Sequence, residues 1–149
     1  MENYPRAEKA KEYFKSGYNC SQAVAMAFSD LIGMDEKTAA KLMSGFGGGV
    51  GRMREVCGSV LGSSFVMSAL YGYDDAGDRE GRAKIYSDIQ SLSGKFKEEN
   101  GSIICRELLG LSPMPGNEAP RKKRPCADLV YISARNLEDY INSHPQNEE

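Results

Sequence analysis

The chain has 149 residues, 40% of them hydrophobic, with 19 basic against 21 acidic side chains and no tryptophan. That length suffices for one domain with a real core, and the near-balanced charge argues against a nucleic-acid or anionic-membrane partner. The opening MENYPRAEKAKEYF lacks the apolar core of a secretion signal, and no apolar run approaches the ~20 residues that span a bilayer. The expectation is therefore a cytoplasmic protein without membrane insertion, whose thiols stay reduced.

The spacing predicts a first helix over 3–15, with Pro5 tolerated in its first turn and Ala7, Ala10, Tyr13 and Phe14 as its apolar face. Ser16-Gly17 ends it. A second helix opens around Asn19-Cys20-Ser21, where Asn19 or Ser21 can cap, and runs to about Leu31, with Gly33 as its breaker. Asp35 starts a third, shorter helix through Met43. The stretch SGFGGGVGRMREVCGSVLG at 44–62 follows, dense in glycine and carrying Cys57. From about Val56 the pattern is helical again to Leu70, slimmed by Gly58, Ser59, Gly62 and Ser63. Each helical glycine costs ~1 kcal/mol in propensity, so packing must hold this helix.

A polar turn at 71–78 leads to a long amphipathic helix over 79–99, with Ile85, Ile89, Leu92 and Phe96 on one face. Asn100-Gly101 stops it. A short helix over 103–109 carries Cys105. Residues 113–124 are a Pro-rich loop with the basic run 121–124, read as a solvated loop. Pro125-Cys126 opens the last helix, and 143–149 are a frayed tail. No segment alternates as a strand does. The expectation is all-α: a single domain over 1–149, a bundle of about five to six helices with a Gly-rich loop.

The four cysteines are Cys20, Cys57, Cys105 and Cys126. No two are close enough for a CxxC motif, which excludes zinc knuckles, thioredoxin-type motifs and c-type haem attachment. Each falls at or early in a predicted helix. Free N–H groups and the dipole at a helix start favour a thiolate, which is both the nucleophile and the metal ligand. Four such thiols suit a convergent site, and an iron–sulfur cluster needs four thiolates. Gly47, Gly48 and Gly49 would let backbone close over that site and offer amides, while Gly58 and Gly62 would slim the helix behind Cys57. Without GxxxxGK[ST] or a preceding strand, a nucleotide loop is not supported. Arg52 and Arg54 would offset thiolate charge. The bland reading has the cysteines as small core hydrophobes. His144, the only histidine, lies in the polar tail, which weakens Cys–His catalysis.

GYNCSQAV, SGFGGGVGR, CGSVLG, ICRELLG and a final Pro-Cys occur in that order. Together they resemble the four-cysteine family named for its CGAxxG motif and labelled redox-active, over almost the whole chain. One departure is Ser59 where the motif has Ala; its hydroxyl would add a hydrogen bond beside Cys57. The resemblance implies that Cys20, Cys57, Cys105 and Cys126 are the motif cysteines, that Gly58 and Gly62 are the motif glycines, and that the role is redox.

The leading reading is a redox or electron-transfer protein whose four cysteines ligate an iron–sulfur cluster or cycle between dithiol and disulfide, with a redox partner the sequence does not identify. The alternative is a module without turnover, holding structural zinc or binding a small molecule or partner. The sequence is compatible with an enzyme or a non-enzymatic carrier, and with a homodimer.

Overall fold

A computed structural model describes residues 3–112 and 125–145. Within them run seven helices: α1 (Pro5–Lys15), α2 (Cys20–Ala27), α3 (Glu36–Leu42), α4 (Gly58–Tyr71), α5 (Arg79–Asn100), α6 (Cys105–Leu108) and α7 (Cys126–Ser143). A 3-10 turn at Ser44–Phe46 follows α3. The described residues contain no sheet, only an isolated antiparallel bridge between Val56 and Ile104. The fold is all-α, and the seven helices match the seven helical segments expected along the chain, one more than the upper count of five to six because the short α3 and the one-turn α6 are both counted. The Pro-rich loop with its basic run, and the last four residues of the tail, lie outside the described residues. No described helix is long and apolar enough to cross a membrane.

Local chemistry fixes the boundaries. Pro5 sits at the start of α1, where its missing N–H costs nothing. A capping box opens α2: the Gln22 amide donates to Asn19 Oδ1 at 2.9 Å, and the Asn19 amide donates to Gln22 Oε1 at 3.0 Å. Asp35 caps α3 by accepting from the Thr38 amide at 2.7 Å, and Asp78 caps α5 by accepting from the Gly81 amide at 2.8 Å. Gly101, with φ +91°, closes α5 in the left-handed conformation.

Helix α2 ends at Ala27, short of the expected Leu31. Ser29 Oγ donates to the Met26 carbonyl at 2.9 Å, and Arg6 Nη1 donates to the Ala27 carbonyl at 2.9 Å. Side chains thus occupy the acceptors that would have carried the helix onward, and 28–33 continue as tight turns.

The core gathers Val24 and Phe28 from the α2 region, Val66 and Met67 from α4, and Val130 and Leu137 from α7, all fully buried. Ile85 and Leu92 bring α5 onto it. Each large side chain buried here is worth about 1.5–3 kcal/mol. Ala7 and Ala10, with no exposed area, let α1 lie close against its neighbours. The buried Glu138 carboxylate accepts from the Arg6 and Ala7 amides at 3.3 and 3.2 Å, so this core acid serves the free N–H groups at the start of α1. A second cluster, Cys57, Val60, Phe96, Leu108 and Leu129, ties the starts of α4, α6 and α7 together. That cluster positions the site.

A candidate site lined by four cysteines

All four cysteines stand at helix starts. Cys20, Cys105 and Cys126 are the first residues of α2, α6 and α7, and Cys57 is the N-cap of α4. Helix α4 begins two residues later than the periodicity suggests because Val56 is taken by the bridge to Ile104. Around that bridge the Cys57 amide donates to the Ile103 carbonyl at 2.7 Å, and the Cys105 amide donates to the Glu55 carbonyl at 2.6 Å. Backbone pairing of 55–57 with 103–105 therefore joins two cysteines far apart in sequence.

The four cysteines line one cavity of about 490 Å³. Gly47, Gly48, Gly51 and Gly58 share its wall. Phe14, Leu108, Leu109 and Leu129 give it an apolar side, and Asn19, Arg52 and Arg54 a polar one. A Cβ at Gly58 would overlap the Cys20 sulfur and stand 3.1 Å from the Phe46 carbonyl oxygen, so Cys20 Sγ packs directly on the residue after Cys57. Gly49 and Gly62 are not in the wall. Gly49 lies behind it, where a Cβ would come within 2.7 Å of both Cys105 Cβ and Arg54 Cα. Gly62 lies at the crossing of α2 and α4, where a Cβ would stand 2.8 Å from the Ser21 carbonyl oxygen.

The glycine loop winds left-handed. Gly48, Gly49, Val50, Gly51 and Arg52 all have φ between +57° and +75°, and Arg54 has +62°. Long-range turns hold it: the Gly51 amide donates to the Gly45 carbonyl at 2.8 Å, Arg54 to Gly48 at 3.1 Å and Glu55 to Gly49 at 2.9 Å. Glycine adopts this backbone freely. Val50, Arg52 and Arg54 do not, at about 1–3 kcal/mol each. Glycine density announces the turn; nothing in the sequence marks the three non-glycine residues drawn into it. Asn19 is visible in the sequence only as a cap. In the structure its side-chain Nδ2 also donates to the Ser44 carbonyl at 3.1 Å, which pins the loop to the start of α2.

Burial decides the protonation of two thiols. Enclosure pushes Cys57 up to about 12, with the nearby Cys20 adding to the shift; the Ser59 hydroxyl and the Ser59 and Val60 amides oppose it. Burial also raises Cys20, with Cys105 adding, against the Gly48 and Ser21 amides. The expectation that every helix start favours the thiolate is thus corrected here: desolvation outweighs the amides. Cys57 Sγ lies 3.1 Å from Ser59 Oγ, the contact expected from serine at that motif position. Arg54 Nη1 donates to Cys105 Sγ at 3.7 Å. All four thiols are free. Among the described residues no three His, Cys, Asp or Glu side chains converge closely enough to hold a single metal ion. His144 stands apart, stacked on the Tyr140 ring at 4.1 Å.

All four cysteines, each at a helix start, line this one cavity. The family model described as "Putative redox-active protein (C_GCAxxG_C_C)" matches residues 18–140, and the chain belongs to that family. It is also similar to an uncharacterized protein of Archaeoglobus fulgidus, 28% identical over 136 residues that cover 83% of this chain and 87% of that one. No solved structure matches the chain.

Proposed function

We propose that the chain is an electron-transfer protein in which Cys20, Cys57, Cys105 and Cys126 together hold an iron–sulfur cluster and serve a separate redox partner. The observation that carries this reading is that all four cysteines line the same cavity. The donor set fits: four thiols and no competing carboxylate line it among the described residues, which is the complement such a cluster takes. Thiols distributed over a cavity wall suit a centre of several atoms better than one zinc ion, which would draw three or four ligands to a point. When bound, the group would supply one-electron transfer at a potential set by burial, charge and hydrogen bonds to sulfur.

The chain's own residues do the rest. Burial holds Cys57 and Cys20 as neutral thiols, so ligation releases their protons. The Gly48 amide serves the Cys20 sulfur, Ser59 stands beside the Cys57 sulfur, and Arg54 brings positive charge to Cys105. Phe14 and Leu129 keep one side of the cavity apolar, which strengthens each of these interactions by excluding water.

Anaerobic reconstitution with ferrous iron and sulfide, followed by chemical analysis, tests the proposal. The expected result is bound iron and sulfide with a visible charge-transfer band. A colourless protein that takes up no iron would sink it.

A second reading has one specific support, the packing of Cys20 Sγ on Gly58 beside Cys57. Here these two thiols would form a disulfide, releasing two electrons to an oxidised partner and two protons to solvent.

A further inference from the structure

We infer that the cysteine cavity also binds a small anion, a carboxylate or an inorganic oxyanion, held by Arg54 together with Arg52 beside Cys105. This stands whether or not the thiols carry a cluster.

Charge is the first ground. Arg52 and Arg54 line the cavity, and no acidic residue does so among the described residues. Among the described residues neither arginine pairs with a carboxylate. Two acids close in sequence to lining residues are engaged elsewhere: Glu55 pairs with Arg106 Nη1 at 3.1 Å, and Glu107 accepts from Ser102 Oγ at 2.7 Å. A recess lined by one sign of charge focuses its field and concentrates the opposite ion.

Geometry is the second. The Arg54 guanidinium reaches the Cys105 sulfur at 3.7 Å, which uses one of its five N–H donors. The fork that remains matches two oxygens of a carboxylate or oxyanion. Both arginines are fixed from behind, because the Arg52 and Arg54 amides donate to the Gly47 and Gly48 carbonyls at 3.1 Å each. Both sit at φ +62°, a conformation that arginine adopts only at a cost. A loop serving as a mere linker would relax it with glycine or asparagine. Room is the third ground: about 490 Å³ falls in the ordinary range for small-ligand sites, about 300–1,000 Å³.

The test uses alkylation of the reduced, iron-free chain, with each cysteine followed by peptide mass mapping. Iodoacetate and iodoacetamide carry the same reacting carbon and differ in charge. At Cys105 the ratio of iodoacetate to iodoacetamide rates should exceed that of the denatured chain by roughly tenfold, the worth of one charge-assisted contact. Arg54→Gln should bring the ratio down to the denatured value, and Arg54→Lys should restore part of it. Sulfate and acetate are added separately as competitors: slowing by sulfate alone assigns an oxyanion site, and slowing by acetate alone a carboxylate site. A wild-type ratio equal to that of the denatured chain, or one insensitive to both competitors, would overturn the inference. If Arg54→Gln fails to fold, the wild-type competition still decides. Iron uptake is measured separately, so failure here leaves the cluster proposal untouched, and the reverse.

Discussion

At Cys57 two opposing effects meet on one sulfur, and their sizes decide its chemistry. Helix-start amides and the Ser59 hydroxyl favour the thiolate, yet enclosure pushes the thiol up to about 12 from an ordinary value of 9.0. The sign for stability follows. The folded state holds this proton more tightly than the unfolded chain, so the contribution is complete below pH 9 and is lost as pH climbs toward about 12. In the reduced, metal-free protein, denaturant unfolding should show stability falling across that window by up to about 1.4 kcal/mol per pH unit beyond the fall seen in Cys57→Ala. Parallel pH profiles for the two proteins would contradict the assignment. Ser59 belongs to the same scale: its contact with Cys57 was readable from sequence because the motif fixes the two residues' spacing. The ionisation of Cys57 was not, because burial depends on Val60, Phe96, Leu108 and Leu129, which arrive from four different helices.

Among the elements, α2 and α4 form the pair that sets the distance between Cys20 and Cys57. Besides Gly58, they touch closely at Gly62, with Ser21 and Val24 of α2 against it. Gly62→Ala would gain up to ~1 kcal/mol of helix propensity but would place a methyl 2.8 Å from the Ser21 carbonyl oxygen and 3.0 Å from Val24 Cβ. Overpacking against such fixed atoms costs about 1–3 kcal/mol, so the balance is a loss. The variant should unfold at lower denaturant with an unchanged slope and should retain less iron after reconstitution. Equal or higher stability would show that the helices yield there. The helices themselves were largely legible: Asp35 as a start, Gly101 as a stop, and the Ile85–Leu92–Phe96 face follow local rules. The early end of α2 was not, because it depends on Arg6 reaching across from α1. The pairing of 55–57 with 103–105 was hidden for the same reason. It is one isolated bridge between distant segments, without the alternation that marks a strand.

For the molecule as a whole, the sequence pointed to convergence of the cysteines through their common place at helix starts, and the four do line one cavity. It did not separate the glycines of the wall, Gly47, Gly48, Gly51 and Gly58, from Gly49 and Gly62, which support it from outside. A dense glycine run looks uniform until the fold assigns each residue a neighbour. The central claim is that the four thiols act as one redox unit. The measurement that bears on it most directly is a series of Cys20→Ser, Cys57→Ser, Cys105→Ser and Cys126→Ser variants, with the quadruple variant. Each is reconstituted anaerobically and scored for iron, sulfide and reversible reduction. Every single change should remove most of the signal, so that the four losses sum to far more than the loss in the quadruple variant. Full signal in Cys105→Ser and Cys126→Ser, with loss confined to Cys20→Ser and Cys57→Ser, would contradict it and leave a two-thiol protein in its place.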